Sequence, residues 1–141
     1  MQQLFEFFSN HPFLGSAWLA FALLLLISII KTMTSGSKSL TPLTATQMIN
    51  KEGAQVVDLR SVADFNKGHI HGAINIPFTK LKDSTKDLEK NKQGPIIMVC
   101  ATGMQSGSAA ILLRKHGFQQ VHKLKGGIQS WTGDNLPLAK G

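Results

Sequence analysis

Two patterns of apolar and polar positions divide this chain. Phe13 to Ile30 is apolar throughout, carries no charge and is interrupted only by Gly15, Ser16 and Ser28. Eighteen residues of helix rise about 27 Å, close to the hydrocarbon thickness of a bilayer. From Leu40 onward, short apolar runs alternate with mixed segments of helical character. Gln55–Leu59, Ala73–Ile76, Pro95–Val99 and Val121–Leu124 read as strands, and Pro95–Val99 is apolar enough to be buried on both faces. Helices are expected over Thr44–Asn50 with Thr44 as cap, Ser61–Lys67 ended by Gly68, Leu81–Lys90, Ser106–His116 and Ile128–Thr132. Strands alternating with helices at this spacing predict an α/β fold. The expected form is one open parallel sheet with helices on both faces, preceded by one transmembrane helix. The boundaries expected are a short segment 1–12, a span 13–30, a Ser/Thr/Gly/Lys-rich tether 31–39 and a domain 40–141.

The flanks of the apolar segment give it a role and a direction. Before it stand Glu6 and no Lys or Arg, and Leu26–Ile30 offers no small-residue cleavage pattern, so a retained anchor is expected rather than a secretory signal. Lys31 and Lys38 follow the span, which places the carboxyl-terminal domain in the cytoplasm of a single-pass inner-membrane protein. From Leu40 the chain has 13 Lys/Arg against 7 Asp/Glu, most of the formal +7. That excess suits a solvated basic surface, and no cluster of Arg with interleaved aromatics points to nucleic acid.

Candidate chemistry centres on Cys100, the single cysteine. It follows the buried strand at Val99 and precedes small, polar residues leading into a helix. A strand, a tight loop and a helix put the loop at the carboxyl edge of a parallel sheet, with the positive end of the helix aimed at it. Backbone N–H groups there favour a thiolate. One cysteine closes no internal disulfide, so packing alone must hold the domain.

Three stretches carry a family resemblance. They are Val57-Asp58-Leu59-Arg60 with Gly68-His69-Ile70-His71-Gly72-Ala73-Ile74-Asn75-Ile76-Pro77, Cys100 to Gly107, and His116-Gly117-Phe118 continuing through Leu124-Lys125-Gly126-Gly127-Ile128 to Trp131. Together they resemble a single-domain, membrane-anchored member of the rhodanese-like sulfurtransferase family over nearly all of Leu40 to Leu138. The resemblance implies that Cys100 is the catalytic nucleophile, carrying sulfur as a persulfide, and that Ala101, Thr102, Gly103, Met104 and Gln105 complete a substrate-binding loop. It implies a small sulfur donor, thiosulfate or a persulfide, and a thiol or protein acceptor, with no cofactor. The Asp58–Arg60 pair is implied to be structural support, with Ser106 beside it, although from position alone the pair could also line the pocket. The loop departs from family members active on thiosulfate, because Ala101, Thr102, Met104 and Gln105 are all neutral. Weak thiosulfate activity is expected.

Other readings are constrained by what is missing. A phosphatase of this fold would need Arg where Ser106 stands, six positions after the cysteine. His69, His71, His116 and His122 lack metal-ligand spacing with the single Cys, and Gly126-Gly127 reads as a turn rather than a phosphate loop. Two alternatives to catalysis stay open. One is a binding module that recruits or assists a membrane protein, and the other is a redox sensor needing an outside thiol.

Overall fold

The computed structural model describes residues 2–3, 6, 10–34 and 37–141, so segment 1–12 and the expected tether lie partly outside the described residues. The chain divides into two units, Met1–Gly36 and Ser37–Gly141. In the first, helix α1 runs over Pro12–Thr34. Its Pro12–Ile30 portion is long and apolar enough to cross a membrane. Side chains such as Leu19, Phe21, Leu24 and Ile27 stand exposed along it, as an all-round apolar helix does before a lipid or protein neighbour covers it.

The second unit is built on five parallel strands: β1 (Lys38–Leu40), β2 (Gln55–Asp58), β3 (Ile74–Asn75), β4 (Pro95–Val99) and β5 (Gln120–Leu124), in the order β1-β5-β4-β2-β3. Alternation along the central strand sorts the core into two layers. Ile96 and Met98 join Val57, Val121 and the inward side of helix α4 (Ser106–Lys115), namely Ala109, Ala110 and Leu113. Ile97 and Val99 join Val56, Leu124, Ala45 of helix α2 (Pro42–Glu52), and Ile128 and Trp131 of helix α5 (Gly127–Gly133). The sheet is therefore parallel and covered on both faces, as the strand–helix alternation predicts.

Several local expectations are corrected. Lys38 and Ser39 are not tether but open an edge strand, Lys38–Leu40, in register with His122–Leu124. Helix α2 begins at Pro42, not after Thr44. Thr41 is its cap, its Oγ1 accepting the Thr44 N–H at 3.2 Å, with Pro at the first helical position where its missing N–H is harmless. Strand β3 is two residues long rather than four. Leu81–Lys90 forms no α-helix. The chain makes short 3₁₀ segments over Phe78–Lys80 and Thr85–Asn91. Within 81–90 only Leu81 and Leu88 are apolar, and both are fully buried. With polar residues at positions 84 and 85, the two anchors leave an α-helix there no continuous apolar stripe to bury. Helix α3 (Val62–Lys67) follows β2 as expected, with Ser61 as cap.

Candidate active site

The site is assembled where β4 hands the chain to α4. Cys100 is the first residue past the strand and is 3% exposed. Its Sγ accepts the Gly103 N–H at 3.0 Å and the Ser106 hydroxyl at 3.3 Å. The N–H groups of Gln105 and Ser106 also turn toward it. Burial pushes the thiol pKa up, but the Ser106 hydroxyl and the three backbone N–H groups outweigh burial and hold it below the ordinary cysteine value. Helix α4 makes no side-chain cap at Gln105 and has no acid in its first turn, so its amino end is left to face the sulfur. The loop bends at Gly103, whose φ of +91° is left-handed backbone. A Cβ there would also come within 3.2 Å of the Gly126 nitrogen.

The second support of the loop lies far along the chain. The Ile128 N–H donates to the Cys100 carbonyl at 2.9 Å and the Gln129 N–H to the Ala101 carbonyl at 3.1 Å. This approach needs Gly127, with φ of +60°, because any Cβ would overlap the Cys100 oxygen and lie 2.7 Å from that of Ala101. Gly126-Gly127 is thus a turn, as read from the sequence, but one that clamps the cysteine loop from behind. Two adjacent glycines before a short helix were the available signal, and spacing alone does not say what approaches them.

Asp58 and Arg60 form a closed pair. The Arg60 Nε donates to both carboxylate oxygens (3.0 and 3.2 Å), Nη2 donates to Oδ2 at 2.7 Å, and the Arg60 N–H donates to Oδ1 at 3.0 Å. Nη2 also reaches the Gly68 carbonyl at 2.7 Å. Asp58 is 1% exposed. The pair ties the end of β2 to the end of α3.

Two clefts flank the cysteine loop. One, of about 330 Å³, lies among Arg60, Asp64, Phe78, Ala101 and Gln105. The other, of about 280 Å³, is lined by Ser39, Thr102, Gly103, Met104, Lys123 and Lys125, together with Leu124 and Gly126. Cys100 lines neither; the loop that wraps its sulfur separates them. The candidate loop residues Ala101, Thr102, Met104 and Gln105 are exposed, and Gly103 is partly so. The two lysines are the residues that motif and spacing do not single out.

Residues 41–134 match the Rhodanese-like domain family. The chain belongs to the rhodanese-like family. It is 45% identical over 142 residues to the Escherichia coli protein YibN, covering 100% of this chain and 99% of that one. A protein of Shewanella oneidensis named thiosulfate sulfurtransferase GlpE is 35% identical over 85 residues, 60% of this chain and 82% of its own length. Among solved structures, a rhodanese-related protein from Thermoplasma volcanium superposes with a TM-score of 0.66 at 28% identity, over 72% of this chain and 97% of that one. The rhodanese-like family thus holds a protein named as a sulfurtransferase alongside this chain.

Proposed function

We propose that the protein is a membrane-anchored sulfurtransferase that carries sulfur as a persulfide on Cys100. The observation that carries this reading is the set of donors around Sγ: the Gly103 N–H, the Ser106 hydroxyl and the N–H groups of Gln105 and Ser106. Such a cradle favours a thiolate before reaction and an anionic persulfide sulfur after it. In the first half-reaction the thiolate attacks the outer sulfur of the donor. A new S–S bond forms as the donor's S–S bond breaks, and sulfite or a thiolate leaves with that bond's electron pair. In the second, an acceptor thiolate attacks the outer sulfur and Cys100 departs as thiolate. Sulfur moves as a neutral atom, so no oxidant or reductant is consumed. Ala101 to Gln105 form the wall the substrates meet, and Asp58 and Arg60 hold the neighbouring turn.

The Pro12–Ile30 portion of helix α1 is proposed as a single inner-membrane span with the domain in the cytoplasm, because Lys31 and Lys38 follow that portion and no Lys or Arg precedes it. A reporter active only in the cytoplasm, fused at Gly141, should work; activity of a periplasmic reporter alone would reverse the orientation. The chemistry is tested by incubating the detergent-solubilised chain with thiosulfate or a persulfide donor and reading its intact mass. One added sulfur, removed by reductant and absent in Cys100→Ser, is expected. If no donor loads the protein, the second reading takes its place. That reading is a docking module for a membrane protein, favoured by Met104, an apolar side chain 86% exposed at the loop.

A further inference from the structure

The cleft on the Gly103–Met104 side contains two cations that the persulfide chemistry leaves without a task. Lys123 lies on β5, opposite Met98 of β4, so its backbone is one strand away from the chain that ends in Cys100. Its Nζ lies 3.8 Å from where a Cβ on Gly107 would stand, in the first turn of α4 and one residue past Ser106. Lys125 lies just beyond the strand, its backbone fixed by its N–H donating to the Leu40 carbonyl at 2.8 Å. Neither side chain takes part in an ion pair with a carboxylate among the described residues. The lowered pKa of Cys100 comes from hydrogen bonds, with no lysine among its causes. Both lysines line this one cleft, so an anion bound there would meet positive charge from two side chains. At about 280 Å³ the cleft has the size of a small molecule rather than of a folded segment.

We propose that Lys123 and Lys125 form an anion subsite beside the Cys100 loop that takes the carboxylate or sulfonate end of a low-molecular-weight sulfur donor. The two lysines supply from a neighbouring strand the positive charge that the neutral loop lacks. The nature of the donor rests on the sulfurtransferase reading; the anion subsite itself does not. Thiosulfate and a carboxylate-bearing persulfide share the required chemistry.

The test compares Cys100 alkylation in the detergent-solubilised chain by iodoacetate, an anion, and by iodoacetamide, its neutral isostere. The ratio of the two rates cancels changes in thiolate fraction and in access. In Lys123→Gln/Lys125→Gln the ratio should fall about fivefold, the order expected for solvated charges a few ångströms from a monoanion. In Lys123→Arg/Lys125→Arg it should hold. In the unaltered chain the ratio should also fall as salt rises. A ratio that the Gln pair leaves unchanged overturns the subsite, whatever its response to salt, because the domain's excess of Lys/Arg over Asp/Glu confers a general salt dependence. Loading rates with thiosulfate and with cysteine persulfide, measured on the same variants, then show which anion the lysines serve by which rate drops more. A ratio that falls in the Gln pair of a chain that no donor loads upholds the subsite and removes the sulfurtransferase reading.

Discussion

Strands β2 and β4 lie side by side, with Asp58 opposite Val99, and each hands the chain to a helix at the same edge of the sheet. The two turns are finished in opposite ways. After β2, the Asp58 carboxylate is filled by the Arg60 fork and N–H. The Ser61 hydroxyl accepts the Asp64 N–H at 3.2 Å and donates to the Asp64 carboxylate at 2.9 Å, which holds Asp64 below the usual carboxylate range. Helix α3 thus has its own cap and its own acid at its positive end. After β4, no side chain caps α4 and no acid stands in its first turn; the sulfur of Cys100 receives those donors instead. A turn that satisfies itself orders the fold, while a turn whose donors converge on one nucleophile can stabilise charge that changes during a reaction.

That contrast can be broken from either side. The largest effect is expected for Arg60→Ala, which leaves the buried Asp58 carboxylate without its partner and should cost about 3–5 kcal/mol in urea unfolding. A loss below about 1 kcal/mol would mean the pair is not the structural lock described. Ser106→Ala should act on reactivity instead. With burial still opposing the thiolate and one donor gone, the Cys100 pKa rises, and alkylation at neutral pH should slow about two- to tenfold. Stability should change far less than in Arg60→Ala, and an unaltered alkylation profile would remove Ser106 from the cradle. The smallest effect is expected for Ser61→Ala, where loss of the cap should cost about 1 kcal/mol and leave the midpoint of Cys100 alkylation unmoved. A shifted midpoint would show the two turns to be coupled.

The same contrast governs what can be read from residues alone. The β4 turn is legible because Pro95–Val99 is apolar throughout and the residues after it are small, a pairing that marks a buried strand running into a tight loop. The parallel, doubly covered sheet follows from alternation of the two periods. Strand β1 is not legible, since an edge strand buries one face at most. Lys38 and Ser39 are exposed, Leu40 alone is buried, and the rest of the signal is backbone pairing with β5. The segment after Pro77 misleads by composition: Lys and Glu favour a helix, whereas burial of Leu81 and Leu88 decides the local path. Lys123 and Lys125 do not stand out in the sequence because their meaning is spatial. They lie more than twenty residues from Cys100 and reach its loop only through the pairing of β5 with β4.

The most direct test of the central claim is the pH dependence of Cys100 alkylation by iodoacetamide in the intact, detergent-solubilised chain. Hydrogen bonds that outweigh burial predict a rate that rises to its plateau with a midpoint below that of an ordinary cysteine. A midpoint at or above the ordinary value, or a thiol that reacts only after the chain is unfolded, would contradict the account.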